Sequence, residues 1–148
     1  MDKAPICILL VEDNPADVHL VEIALGEMRS AAKLYVVQDG FEALDFLRRQ
    51  PPFSAAPRPD LVFLDLNLPR LGGHQVLRER RDDPALRETP VIVLTTSDAA
   101  SDIHIAYELG ANSYVIKPAS FEAFLETMAA IERFWFRTAC LPGREWHG

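Results

Sequence analysis

The amino-acid sequence predicts an α/β protein in which a parallel sheet lies between two layers of helices. Five short apolar runs are each typical of a strand buried on both faces, and a stretch with apolar residues at helical spacing follows each of them. Because strands and helices alternate along the chain, the connections are crossovers that leave the strands parallel. The 148 residues suit one domain with one substantial core.

The first half of the sequence contains two strands, two helices and a loop. Residues 6–11 form the first apolar run, and the Asn-Pro pair at 14–15 supplies an N-cap and a first-turn proline for a helix. A second strand is predicted at residues 33–38, and the Asp-Gly pair at 39–40 turns the chain into a second helix. Prolines at several positions within residues 50–59 exclude a regular helix, so we interpret this segment as a structural surface loop.

The second half is organised around the apolar run between Asp60 and Pro69. A buried strand does not accommodate a lone charge in its interior, so Asp65 is expected where this third strand ends, at the carboxyl edge of the sheet. The remaining predicted elements are a helix near residues 74–81, a strand at 90–95, a helix that ends at Gly110, a strand at 112–116 and a final helix from about Ser120 to about Arg137.

Composition excludes several classes of protein. The formal net charge of −7 argues against a broad surface for phosphate groups, so direct nucleic-acid binding is not expected. No apolar run approaches the ~20 residues that span a bilayer, and the first residues lack the basic flank of a signal peptide, which predicts a cytoplasmic protein without membrane contact. Cys7 and Cys140 lack metal-site spacing, and we interpret Cys7 as a core residue and Cys140 as a tail thiol.

Polar side chains capable of metal or phosphate chemistry occur at the ends of four predicted strands. Glu12 and Asp13 follow the first strand, Asp65 the third and Lys117 the fifth, while Thr95 ends the fourth. Because the carboxyl ends of parallel strands share one edge, these side chains are expected to meet although they are distant in sequence. Each alone has an ordinary explanation as a helix flank, a cap or a strand terminator, and only their convergence predicts a site.

The residue types at this predicted site favour Mg²⁺. Clustered carboxylates repel one another, and a site with few protein oxygens and room for water suits Mg²⁺ better than Ca²⁺. Glu12, Asp13 and Asp65 are therefore the predicted metal-binding side chains, with the backbone carbonyl of Asn67 as a further ligand.

Asp65 is also the predicted nucleophile of the site. A carboxylate beside Mg²⁺ can attack phosphorus and form an aspartyl phosphate. Lys117 and the Thr95 hydroxyl would then bind oxygens of the transferred group, which gives both residues a catalytic role.

The ordered motifs resemble the receiver domain of two-component response regulators. They are the acidic pair at 12–13, Leu-Asp-Leu-Asn-Leu-Pro at 64–69, Val-Leu-Thr at 93–95 and Tyr-Val-Ile-Lys-Pro at 114–118. The resemblance implies a flavodoxin-like (βα)₅ fold, a three-layer sandwich with strand order 2-1-3-4-5. It also implies a receiver domain with an extended last helix over residues 1–138 and a C-terminal tail over residues 139–148.

The same resemblance implies how the protein works. A sensor histidine kinase would phosphorylate Asp65 from a phosphohistidine, with Mg²⁺ as cofactor, which makes the chain a signalling protein and not an enzyme. Thr95 would move toward the new phosphoryl group, Tyr114 would rotate inward, and the face formed by the fourth helix, fifth strand and fifth helix would change. From the residues alone, Tyr114 is equally consistent with a half-buried aromatic of the sheet.

Four further segments make the resemblance more specific, to one subgroup of response regulators. The proline-rich loop, residues 66–70, residues 94–97 and the aromatic residues 134–136 are similar to those of small stand-alone regulators that partner bacterial phytochrome histidine kinases. This similarity implies a phytochrome-type kinase as the partner.

The final predicted helix has more apolar surface than one core-facing side can absorb. Phe121, Phe134 and Phe136 lie off its main stripe, which predicts a homodimer through the face of the fourth helix, fifth strand and fifth helix. In the alternative, Leu141 folds back with Pro142, and Trp146 covers the aromatic residues within one subunit.

Three other functions stay open at this point. The first is a relay or phosphate sink without direct output, whose downstream protein the sequence does not identify. The second is a phosphatase that forms an aspartyl phosphate; the dehalogenase-type pattern requires a second Asp where Asn67 stands. The third is a flavin-binding module, but Glu12 and Asp13 would repel a flavin phosphate after the first strand.

Overall fold

Strands and helices alternate along the chain in this computed structural model, which describes residues 4–144. The elements are β1 Ile6–Val11, α1 Pro15–Gly26, β2 Ala32–Val37, α2 Gly40–Leu47, β3 Leu61–Leu64, α3 Gly73–Asp82, β4 Val91–Thr95, α4 Ala100–Glu108, β5 Ser113–Ile116 and α5 Phe121–Ile131. The predicted elements are thus confirmed with shifts of a residue or a few at their ends, except that α5 ends well before the predicted residue 137.

The strands form one parallel sheet in the order β2-β1-β3-β4-β5. Side chains alternate between its two faces: Leu61 and Phe63 of β3 pack with α1 and α5, while Val62 and Leu64 pack with α2, α3 and α4. All four residues are buried, as expected of a central parallel strand. The flavodoxin-like three-layer fold predicted from the sequence is confirmed.

Side-chain caps begin α1 and α2, two of the helices that leave the carboxyl edge. The Asn14 side chain accepts the Ala16 N–H at 2.9 Å, and Pro15 occupies the first turn of α1. The Asp39 carboxylate accepts the Glu42 N–H at 2.9 Å at the start of α2. These two caps start α1 and α2 within a few residues of the ends of β1 and β2, which keeps the polar residues between them at the sheet edge.

The prediction of one regular helix to residue 137 is wrong in its last part, because α5 ends at Ile131 and a π-helical turn covers Glu132–Phe136. The buried Glu132 carboxylate accepts both the N–H and the hydroxyl of Ser30, at 3.0 and 2.8 Å. The wider turn changes the direction of the side chains that follow. Phe136, predicted to lie off the core-facing stripe, consequently packs partly buried against the core beside α5.

The segment after the π-helical turn returns to the amino edge of the sheet. Leu141 is buried in the core beside α1 and α5, which confirms that the chain folds back this far. Trp146, the other part of that prediction, lies outside the described residues. Cys7 is only half-buried and Cys140 is exposed. Among residues 4–144, no helix is both long and apolar enough to cross a bilayer.

Candidate functional site

The predicted site residues lie together at the carboxyl edge of the sheet. The Asp65 N–H donates to the Val11 carbonyl at 3.1 Å, and the Lys117 N–H donates to the Thr95 carbonyl at 2.7 Å. These bonds continue the strand ladders one residue beyond the strands. The parallel topology therefore brings residues 12–13, 65, 95 and 117 to one edge of the sheet, as the sequence predicted.

Three carboxylates form the acidic part of the site. Glu12, Asp13 and Asp65 each offer an oxygen, and these oxygens all lie within 4.8 Å of one another. Glu12 and Asp65 are buried while Asp13 is exposed, so the cluster has a wall of protein on one side and water on the other. The Asn67 N–H donates to Asp65 Oδ1 at 3.2 Å, which holds the following loop beside the cluster. Hard oxygens with an open side fit Mg²⁺.

The Lys117 ammonium group binds the acidic cluster from within the protein. Its Nζ donates to the Glu12 carboxylate, to Asp17 Oδ2 at 3.0 Å and to Asp65 Oδ2 at 3.5 Å, and its side chain is only 7% exposed. The sequence analysis missed Asp17. The available signal was its position in the first turn of α1, because a helix that begins at residue 15 carries its first turn over the same edge.

Burial and charge set the protonation of this group of residues. Burial alone would lower the pKa of Lys117, but the hydrogen bond to Glu12 and the negative charges of Asp65 and Glu12 outweigh it and raise that pKa. Burial raises the pKa of Glu12, against the lowering effect of Lys117. Lys117 is therefore a fixed cation at neutral pH, and it is the ammonium that faces several carboxylates at this edge.

Thr95 and Tyr114 meet at the backbone of Ser97. Thr95 is fully buried at the end of β4, and its Oγ1 accepts the Ser97 N–H at a long 3.5 Å. The Tyr114 hydroxyl donates to the Ser97 carbonyl at 2.9 Å, and burial raises its pKa, so the hydroxyl keeps its proton. The Ser97 hydroxyl in turn donates to Asp102 Oδ2 at 2.6 Å, in the first turn of α4. Nothing in the sequence predicted the hydrogen bond between Ser97 and Asp102.

A glycine closes the loop after Asp65. The Gly73 N–H donates to the Leu66 carbonyl at 3.1 Å, and a Cβ at position 73 would lie 2.5 Å from the Asp65 carbonyl oxygen. Any larger residue would push α3 away from the end of β3. Gly73 is thus a point of close backbone approach that fixes the geometry around Asp65.

Comparison with known proteins agrees with this geometry. The family "Response regulator receiver domain" matches residues 8–129. The response regulator Rcp1 of Synechocystis sp. is 41% identical over 138 residues, which is 93% of this chain and 94% of that protein.

Two solved structures of response regulators are also similar to this chain over almost its full length. The phosphorylated cyanobacterial phytochrome response regulator RcpA superposes with a TM-score of 0.91 at 42% identity, over 95% of this chain and 100% of that one. The Mn²⁺-bound form of response regulator Rcp1 superposes with a TM-score of 0.89 at 40% identity, over 94% and 100% of the two chains.

Proposed function

The chain belongs to the response regulator receiver domain family, and from this premise we propose that it is a single-domain response regulator whose Asp65 accepts a phosphoryl group from a sensor histidine kinase. One observation carries the proposal. Asp65, the acidic pair at 12–13 and Lys117 surround one crevice, where a cation from outside and a phosphoryl group can be held together.

Mg²⁺ is the proposed cofactor of this crevice. Glu12, Asp13 and Asp65 would hold the ion together with the Asn67 backbone carbonyl. The Mn²⁺-bound neighbour Rcp1 and the mutual distances of at most 4.8 Å between the carboxylate oxygens support this assignment. When bound, the ion offsets the surplus negative charge and draws electron density from the phosphoryl oxygens.

In the proposed transfer, an Asp65 oxygen attacks the phosphorus of the kinase phosphohistidine. A phosphorus–oxygen bond forms, the phosphorus–nitrogen bond breaks, and its electron pair returns to the imidazole. Lys117 exchanges part of its contact with the carboxylates for a contact with a phosphoryl oxygen, and the Thr95 hydroxyl donates to another. Neither residue has to enter the crevice from solvent, since both are buried at its wall.

Movement of Thr95 toward the phosphoryl group would be transmitted through Ser97. The Ser97 N–H loses an acceptor when Thr95 moves, and its carbonyl is the acceptor of Tyr114, so the two proposed switch residues share one peptide segment. Its hydroxyl contacts Asp102, which extends the change to α4. The face formed by α4, β5 and α5 is the proposed output surface.

A homodimer is the proposed occupant of this output surface. Tyr107, Ile116 and Phe121 are each more than 40% exposed on α4, β5 and α5, and Phe134 is 53% exposed just beyond them. A downstream protein would bind the same face. Light scattering over a range of concentrations tests the dimer, and a monomer at all of them, with and without phosphorylation, removes it.

The proposed partner is a phytochrome-type sensor histidine kinase in the cytoplasm. The neighbour RcpA is a cyanobacterial phytochrome response regulator, and this chain is similar to it over almost the full length of both. We further propose that residues 1–138 act as the receiver domain and residues 139–148 as a tail, attached by the buried Leu141.

Incubation with acetyl phosphate and Mg²⁺, followed by intact-protein mass spectrometry, tests the proposal. The wild type is expected to gain one phosphoryl group, and Asp65→Asn none, because the amide is not a nucleophile for phosphorus. Asp60→Asn, at the other end of β3, is the matched control and is expected to be labelled normally. An unlabelled wild type contradicts the proposal, a labelled Asp65→Asn misplaces the acceptor, and steady turnover of a phosphate ester favours the phosphatase.

A further inference from the structure

An ion pair attaches the loop between β3 and α3 to the start of α2. Arg70 Nη1 lies 3.0 Å from Asp39 Oδ2, and the Arg70 guanidinium lies 5.0 Å from the centre of the Phe41 ring. Arg70 is largely exposed, whereas the Asp39 side chain is only 9% exposed. The loop is therefore held to α2 by one charged contact and one cation–π contact on the same side chain.

The backbone at this point requires such support. Arg70 has φ +65°, a left-handed conformation that costs a residue with a Cβ about 1–2 kcal/mol. The neighbouring Leu71 carbonyl packs so closely on α2 that a Cβ at Gly40 would lie 2.3 Å from its oxygen. The strained loop and the first residue of α2 thus fit together as one unit.

Both oxygens of the Asp39 carboxylate are used in this unit. Oδ1 caps α2 by accepting the Glu42 N–H at 2.9 Å, and Oδ2 accepts from Arg70 at 3.0 Å. Because the cap fixes the carboxylate to a helix, Arg70 is tied to a rigid element of the scaffold.

The other end of the same loop lies beside the acidic cluster. The Asn67 N–H donates to Asp65 Oδ1 at 3.2 Å, and the Leu71 N–H donates to the Pro69 carbonyl at 2.7 Å, so one bond ties the start of the loop to Asp65 and the other closes a tight turn at Arg70. We propose that Arg70 is a positioning residue for the metal site, which keeps the Asn67 backbone carbonyl directed at the cation by anchoring the loop to Asp39. This inference rests on the proposed function, because it assigns Asn67 as a metal ligand.

Isothermal titration calorimetry with Mg²⁺ measures the metal affinity of the purified protein and so tests the role of Arg70 without any phosphoryl transfer. In Arg70→Gly the left-handed backbone is retained without strain while both side-chain contacts are lost, so Mg²⁺ is expected to bind about 3- to 10-fold more weakly. Arg49→Gly is the matched control: Arg49 has φ +55° just after the other end of α2, and its replacement is expected to leave Mg²⁺ affinity unchanged.

Two further variants separate positioning from general stability. Asp39→Asn keeps an oxygen for the cap but loses the ion pair, and it is expected to weaken Mg²⁺ binding less than Arg70→Gly, because the contact of Arg70 with Phe41 remains. The double variant is expected to bind Mg²⁺ no more weakly than Arg70→Gly alone. Arg70→Lys keeps the charge and is expected to restore part of the affinity. At saturating Mg²⁺, the labelling rate with acetyl phosphate is expected to match the wild type in all of them.

The results distinguish the two proposals. If the wild type binds Mg²⁺ and both Arg70→Gly and Asp39→Asn bind it with the wild-type affinity, the positioning role is overturned and the proposed function is left intact. A lower labelling rate that saturating Mg²⁺ does not restore also overturns it, since the loss would then lie outside metal binding. A wild type that binds no Mg²⁺ overturns the metal site itself, and with it this inference.

Discussion

The two ends of β3 each carry an aspartate, and the two aspartates have different surroundings. At the amino end, Asp60 Oδ2 accepts the Cys7 N–H at 2.8 Å and pairs with Arg144 Nη1 at 3.0 Å. At the carboxyl end, Asp65 shares the single ammonium of Lys117 with Glu12, at the same edge as Asp13. Both side chains are mostly buried, at 15% and 11% exposed.

Charge balance distinguishes the two ends more clearly than burial does. One carboxylate faces one guanidinium at Asp60, so no external ion is needed and the pair acts as a structural link between the tail and the sheet. Among residues 4–144, the carboxylates around Asp65 outnumber the one ammonium that contacts them, which leaves negative charge that a bound cation would offset. An unbalanced group of charges at a sheet edge is thus the better sign of function.

Among the substitutions at the two ends of β3, removal of Lys117 is expected to lower the free energy of unfolding the most. Lys117→Met leaves the carboxylates without a cation, and the free energy of unfolding at pH 7 is expected to fall by about 3 kcal/mol, as for a broken buried ion pair. Phosphoryl labelling should also be lost. Urea unfolding with and without Mg²⁺ measures the first effect, and Mg²⁺ is expected to stabilise the variant.

The pH dependence of the Lys117→Met loss has a definite sign. Burial already holds the pKa of Glu12 above its ordinary value, and removal of the ammonium raises it further. A carboxyl with a raised folded-state pKa destabilises the protein when ionised, so the loss is expected to be greatest at neutral pH and to shrink toward pH ~4. A loss that is the same at both pH values would indicate a packing defect instead of unbalanced charge.

Removal of the charge at the amino end is expected to have a smaller effect. Asp60→Asn keeps an acceptor for the Cys7 N–H but breaks the ion pair with Arg144, whose contacts with the Ala4 and Pro5 carbonyls remain, so the free energy of unfolding should fall by only about 1.5 kcal/mol. Urea unfolding measures the change. Arg144→Gln should give a larger loss, because Arg144 also donates to the Ala4 and Pro5 carbonyls, at 2.6 and 3.4 Å. A loss in Asp60→Asn as large as in Arg144→Gln would show that the pair contributes more than expected.

The sequence predicted which residues converge at the carboxyl edge, but it did not reveal the further residues that contact them. Asp65 was placed at that edge because a charge after a buried parallel strand has one possible position. The position of Asp17 in the first turn of α1 was a usable signal, whereas the role of Arg70 and the Ser97 to Asp102 contact depend on which side chains meet across loops, and no local pattern encodes that. The π-helical turn at Glu132 was missed for the same reason, since its partner Ser30 is 102 residues away.

The sequence shows that Asp60 and Asp65 lie at opposite edges of the sheet, but not that their charge partners differ. Both flank the same apolar run, and strand direction assigns one to each edge. The partner of Asp60 is Arg144, 84 residues further along the chain, in a segment without periodicity. The sequence therefore places Asp60 at the amino edge of the sheet, but it does not show that Asp60 is neutralised, because that depends on how the segment around Arg144 packs.

The smallest expected effect concerns the Cys7 thiol, next to Asp60. Burial and then the Asp60 charge raise the pKa of Cys7, so less thiolate is present at pH 8 and alkylation in a Cys140→Ser background should be slow. Asp60→Asn removes the second cause, and the rate of reaction with iodoacetamide should rise about threefold. Mg²⁺ and acetyl phosphate should leave the rate unchanged, because they act at the opposite edge of the sheet. A rate that responds to phosphorylation would show that the two ends of β3 are coupled and that charge balance does not isolate the amino end.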